Sequence, residues 1–87
     1  MTTIFLDELG DVAQDLVRTL RIYDSPLLKN LYYYIPKVTG NHRSQATIRC
    51  TLQRHCRTSK WYLNQYDLFE RLANGCWRLR TDVEIEG

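Results

Sequence analysis

Apolar residues recur at helical spacing through residues 4–23. At about 100° per residue, Phe5, Leu9, Val12, Ala13, Leu16, Leu20 and Tyr23 fall in one stripe, with Leu6 and Val17 beside it and the acids and Arg18 off it. This predicts a first amphipathic helix over about 4–23. Gly10 is its weak point, and Asp11 is a good cap from which a shorter helix would start. "DSP" at 24–26 marks a second start. Asp24 or Ser25 supplies a cap there, and Pro26 suits the first helical position, where an N–H has no intrahelical partner to lose. Leu27, Leu28, Leu31, Tyr34 and Ile35 then share a face, and Pro36 is expected to end this helix, over about 26–35. The turn KVTGN leads to a third helix over about 44–56, with Ile48, Leu52 and His55 on its inner side. Its outer face carries Thr47, Arg49, Gln53 and Arg54, with the small residues Ala46 and Cys50 between them.

Residues 57–66, RTSKWYLNQY, read as irregular. DLFERLANGCWRLR, 67–80, reads as a β-hairpin whose Ala73-Asn74-Gly75 forms a three-residue loop with glycine in the left-handed position. That register sets Phe69 opposite Leu79 and Glu70 opposite Arg78. Phe69, Trp77 and Leu79 then face the core, and the Glu70–Arg78 pair faces water, with Cys76 on the outer face. A short helix from Asp67, capped by Gly75, competes with this reading. The acidic tail, 81–87, is expected to fray. The order helix, helix, turn, helix, hairpin in a single domain over 1–87 is mainly α with a small β-hairpin wing, an α+β winged helix-turn-helix. In that arrangement the third helix enters the DNA major groove and the wing lies along the backbone or minor groove.

Charge sharpens the picture. The formal net charge is only +2, yet residues 25–66 hold seven Lys/Arg and no Asp or Glu. The flanks are net negative: five acids against Arg18 and Arg21 in 1–24, and five against Arg71, Arg78 and Arg80 in 67–87. So one-sided a block repels itself unless a polyanion sits on it; the alternative is a solvated basic face. The apolar content of 44% belongs to a globular chain, and 87 residues suffice for one modest core. No apolar run is long enough for a membrane span, and the acidic first ten residues do not read as a secretory signal. Three cysteines, Cys50, Cys56 and Cys76, cannot all pair within the chain, which points to a reducing, cytoplasmic setting.

Duplex DNA is recognised by cations on phosphates and by forked side chains on base edges. The base-edge candidates are Asn41, Arg43, Gln45, Thr47, Arg49 and Gln53, around the N-terminal end and outer face of the third helix. The phosphate candidates are Lys37, Arg54, Arg57 and Lys60, with Arg78 and Arg80 reaching from the wing. Duller roles exist for several: Arg54 and Arg57 answer a helix C-terminal dipole, Gln45 is a surface residue near a cap, and His55 is a core histidine. The aromatics Tyr32, Tyr33, Tyr34, Trp61, Tyr62 and Tyr66 beside the basic block raise single-stranded binding as a lesser alternative, because Tyr34 and one of Trp61 and Tyr62 are wanted for the core. His42, Cys50, His55, Cys56 and Cys76 lack the tight ligand pairs of a zinc site, so no metal or other cofactor is expected. Nor is an enzyme: phosphate-binding loops, metalloprotease and serine-hydrolase motifs are missing, and the acids avoid the basic surface where a metal-dependent nuclease would need them. A Cys with a nearby His could in principle form a nucleophile–base pair, but nothing in the sequence supplies a third group or an oxyanion site.

TIRCTLQRHC followed by DLFERLANGCWRLR resembles the winged-helix domains attached C-terminally to bacterial restriction endonucleases and HNH-type nucleases, within the wider HARE-like helix-turn-helix group. The residues that carry the likeness are Ile48, Arg49, Leu52, Gln53, Asp67, Leu68, Phe69, Gly75, Trp77 and Leu79, and it spans about 44–80. The resemblance implies a non-catalytic double-stranded DNA-binding module that serves a restriction system, brings a nuclease domain or subunit to DNA and in some members senses a modified base. The alternative is a winged-helix protein-interaction module, with the aromatic-rich second helix docking a partner or forming a homodimer.

Overall fold

The helical stripe of the first twenty residues is divided in the computed structural model, which describes residues 2–62 and 66–87. Thr2–Phe5 form a strand, β1; Leu6–Glu8 make one 3-10 turn; and helix α1 runs Asp11–Ile22 with Gly10 as its cap. The single helix expected over 4–23 is thus corrected to strand, turn and helix. The β-branched start TTI favours extended backbone, and Gly10 is a poor interior helix residue. Phe5 is exposed on the strand rather than part of a helical stripe.

The strand exists because it has a partner. Val83–Glu86 form β4, parallel to β1, with Ile4 opposite Ile85. The tail expected to fray is therefore ordered as a strand. Its Val-Glu-Ile-Glu alternation turns Val83 and Ile85 onto the core and the acids outward. Arg21 of α1 fastens it, donating from Nη1 to the Gly87 carbonyl at 2.9 Å and from Nη2 to the Ile85 carbonyl at 2.6 Å.

Helix α2 spans Leu28–Thr39, later at both ends than expected. At its start, Pro26 and Leu27 stay extended and join the hairpin: the Pro26 carbonyl accepts from Trp77 N–H at 3.0 Å, and Leu27 bridges Cys76. The pull of this pairing moves the helix start from Pro26 to Leu28. Pro36 sits inside the helix. It lies in the last turn and a half, where losing one backbone donor is tolerable. The helix ends instead at Gly40, whose φ of 75° is the left-handed cap conformation that glycine adopts at least expense.

Helix α3, Gln45–Arg54, is capped by Ser44, whose Oγ accepts from Thr47 N–H at 3.1 Å. It is two residues shorter at its C-terminus than the 44–56 expected. The hairpin matches its predicted register. Strands β2 (Phe69–Arg71) and β3 (Trp77–Leu79) pair Phe69 with Leu79 and Glu70 with Arg78, and Leu72 N–H to Cys76 carbonyl closes the loop around Gly75 at φ 83°. Cys76 is buried, not on the outer face, because its backbone bridges to Leu27. Turns fill the described part of 55–68; residues 63–65, within the segment read as irregular, lie outside the described residues. Over the described residues the chain is thus α+β, with three α-helices, a small two-stranded antiparallel sheet and the parallel pair of β1 and β4. No helix of the described residues is long and apolar enough to cross a membrane.

Helix α1 is the hub, packed against α2, α3 and β3. Leu16, Val17, Leu31, Ile35, Ile48, Leu52, Leu68 and Phe69 are fully buried around it. Of the aromatics wanted for the core, Tyr34 is half-buried and stacks on Tyr23, with centroids 3.8 Å apart; of the pair Trp61 and Tyr62, Trp61 is exposed and Tyr62 half-buried.

Two polar side chains of α1 lie buried in this apolar setting: Thr19, whose Oγ1 donates to the Asp15 carbonyl at 2.8 Å, and Asp15 itself. Asp15, only 1% exposed, points its carboxylate at the turn between α2 and α3. Asn41 Nδ2 donates to both of its oxygens at 3.2 Å, Arg43 Nε donates to Oδ2 at 3.1 Å, and Arg18 stands 3.8 Å away. A buried carboxylate is tolerable only when so satisfied. Asp15→Asn removes the charge and leaves Arg43 unanswered. It is expected to cost about 2 kcal/mol, read as a fall of roughly 8–16 °C in Tm; a change under about 2 °C would show that this carboxylate does not hold the turn.

Candidate nucleic-acid interface

Helix α3 buries only Ile48 and Leu52. Gln45, Ala46, Thr47, Arg49, Cys50 and Arg54 are exposed, and Gln53 is half-buried. Three concavities adjoin this face, and Gln53 lines all of them. The largest, about 520 Å³, lies among Arg49, Cys50, Gln53, Arg54 and Trp61. A second, about 140 Å³, runs from Arg49 and Gln53 across to Arg71, Gly75 and Trp77 of the hairpin. A third, about 130 Å³, is lined by Gln53, Cys56, Thr58, Ser59, Arg71 and Trp77. No acid lines any of the three. Two other concavities, at the chain ends, do hold acids: Asp7 and Glu86 in one, Asp67 and Asp82 in the other.

The expected contact residues divide by what holds them. Arg49, Gln53 and Arg54 gather on the clefts beside α3, and Lys60 adjoins them, its Nζ 5.5 Å from the Trp61 ring centroid. Among the described residues Arg49, Arg54 and Lys60 have no ion-pair partner. Gln45 stands exposed in the first helical turn. The Thr47 hydroxyl is engaged by the Ser44 hydroxyl at 2.7 Å, as part of the cap. Asn41 and Arg43, expected near base edges, turn inward onto Asp15, where a buried carboxylate draws the nearest donors.

Several phosphate candidates are engaged by the chain's own acids. Arg57 and Arg80 both reach Asp67, at 3.6 and 3.3 Å; Arg80 also forks onto Asp82 at 3.0 and 3.1 Å, and Arg78 meets Glu70 at 2.9 Å. The Arg80 guanidinium holds the Asp82 carboxyl below the usual carboxylate range. Lys37 sits over the Tyr33 ring at 4.8 Å and lines none of the three clefts. The sequence reading missed Arg71, which lines two of them. The predicted register contained the clue, since it sets Arg71 opposite Trp77.

His55 ties α3 to the hairpin. Its carbonyl accepts from Leu68 and Phe69 N–H at 2.9 and 3.1 Å, and its Nδ1 lies 3.0 Å from the Tyr66 carbonyl. A carbonyl can only accept, so Nδ1 carries the proton. Burial lowers the imidazole pKa from its ordinary 6.5, the Tyr66 bond opposes this, and Arg54 adds to it. Among the described residues no three His, Cys, Asp or Glu side chains gather as metal ligands, and the cysteines are free, Cys50 exposed and Cys56 and Cys76 buried.

The His55 shift has a sign. The fold favours the neutral ring, so its contribution is complete above the unfolded value near 6.5 and is lost as pH falls below it. The unfolding midpoint should therefore drop between about pH 7.5 and 5.5, and His55→Gln should flatten that slope; an unchanged slope in the variant would assign it to another group.

No family model matches the chain, and no curated protein or solved structure matches it significantly.

Proposed function

We propose that this domain binds double-stranded DNA, with α3 in the major groove and the hairpin alongside it as the wing of a winged helix-turn-helix. The observation that carries the reading is the acid-free cleft system around α3, lined by Arg49, Gln53, Arg54 and Arg71, on a chain nearly neutral overall. Acids next to other arginines are paired away from it. A helix with two buried side chains and a long polar face suits groove entry. The element order also supports it: Leu27, in the segment between α1 and α2, bridges Cys76 and adds a short third edge to the hairpin.

In this reading Arg49 forks onto guanine and Gln53 onto adenine, while Arg54, Lys60 and Arg71 meet phosphates. Asn41 and Arg43 act indirectly, by holding the turn through Asp15. The likeness of Ile48, Arg49, Leu52, Gln53, Asp67, Leu68, Phe69, Gly75, Trp77 and Leu79 to the nuclease-attached winged helices supports a targeting role, with a nuclease domain or subunit as the working partner in the cytoplasm. No catalytic role is assigned to the domain itself.

Selection from a random duplex pool, with and without methylated bases, would yield the preferred site. Binding to it should weaken steeply with salt: three or four phosphate contacts give a log–log slope of roughly −3 to −4. A salt-insensitive interaction would instead favour a protein partner or homodimer. Arg49→Ala should lower affinity for the selected site about tenfold more than for random duplex, whereas Lys60→Ala should weaken both alike. Titrations on both duplexes decide this, and equal losses for Arg49→Ala would remove it as a base reader.

A further inference from the structure

The largest cleft has a feature that a duplex alone does not use. Trp61 is 59% exposed, on a turn rather than in the core. The turn fixes it: Ser59 N–H bonds the Cys56 carbonyl at 2.9 Å, Trp61 N–H bonds the Ser59 Oγ at 3.1 Å, and Tyr62 N–H bonds the Ser59 carbonyl at 3.2 Å. An indole left in water by a well-bonded turn is a prepared surface, since its burial would otherwise be favourable. Lys60 Nζ lies over the ring, 5.5 Å from its centroid, so cation and aromatic face come as a pair.

Opposite the indole stand Arg49, Gln53 and Arg54, three residues of one α3 face, with the small Cys50 between them. The cleft they enclose, about 520 Å³, falls within the range of small-molecule sites. Its chemistry is an aromatic platform, one amide with paired donor and acceptor, and cations with no acid. An apolar peptide has no use for those cations, and an acidic one has no use for the platform. A nucleotide uses every part: the base stacks, the amide meets its hydrogen-bonding edge, and the cations take the flanking phosphates.

We propose that this cleft receives an unpaired nucleobase, one bulged or turned out from the duplex that α3 contacts, stacked on Trp61 and met at its edge by Gln53. On the N6/N7 edge adenine matches an amide in two bonds, so adenine is the base to test first. The proposal rests on the duplex-binding reading, and moves the Gln53 contact from a paired adenine in the groove to a base outside the stack, with Arg49 left on the duplex.

Three probes of one sequence separate the two ideas: a perfect duplex, the same duplex with one bulged adenine, and the same with a bulged abasic nucleotide. The last keeps the backbone deformation and removes the ring. The wild-type chain should bind the adenine bulge about tenfold tighter than the abasic bulge. Trp61→Phe should keep most of that ratio and Trp61→Ala should bring it to about one. Trp61 is outside the core, so both variants should fold, which circular dichroism checks. Indole fluorescence gives a second readout: the adenine bulge should quench the wild type, and Trp61→Phe, which keeps only the buried Trp77, should lose the quench. Equal binding of the two bulges would overturn the base subsite while leaving duplex binding intact. Failure of all three probes to bind would overturn both.

Discussion

The buried carboxylate of Asp15 sets the geometry on which the polar face of α3 depends. It sits in α1, the helix that touches α2, α3 and the hairpin, and it takes its donors from the turn that joins α2 to α3. A turn held only by Gly40 and solvent-facing bonds would leave α3 free to rock on its two buried residues. The Asn41 and Arg43 bonds fix where α3 starts, Ser44 caps it, and His55 ties its far end to the strand that follows. Both ends of a sparsely buried helix are thus anchored by polar contacts, which leaves its side chains available for a partner.

The same logic explains the charge segregation. Acids near arginines that serve the fold are paired: Asp15 with Arg43, Asp67 with Arg57 and Arg80, Glu70 with Arg78. The pairs other than Asp15–Arg43 lie nearer solvent and contribute little stability. Their larger effect is on the field, because they neutralise positive charge away from α3. What remains unpaired among the described residues includes Arg49, Arg54 and Lys60, and these lie together. A near-neutral chain can in this way present a locally cationic cleft without a large net charge.

Periodicity made the three helices and the hairpin legible, the hairpin to the residue, because Phe69, Glu70, Arg78 and Leu79 alternate cleanly around a glycine turn. It misled at the first strand, where Phe5 and Leu9 happen to fit a helical stripe, and at Pro36, where a late helix position tolerates the missing donor. The tail carried its own signal: Val83-Glu84-Ile85-Glu86 alternates as a strand does, but a parallel partner 81 residues away in sequence is invisible to any local pattern. For the candidate site, the acid-free stretch led to the helix face on which Arg49, Gln53 and Arg54 gather. It could not separate Arg43, which serves Asp15, from Arg49, which has no such partner, since that difference lies in a contact between distant residues. Arg71 was hidden by lying outside the basic block.

On the proposed function a polyanion occupies the acid-free cleft between α3 and the hairpin. The decisive experiment titrates the isotopically labelled domain with duplex DNA and follows the backbone amide shifts. The largest changes should fall at Arg49, Gln53, Arg54, Arg71 and Gly75, with β1 and β4 unmoved. Changes centred on Tyr33 and Lys37 of α2, or none at saturating duplex, would contradict it.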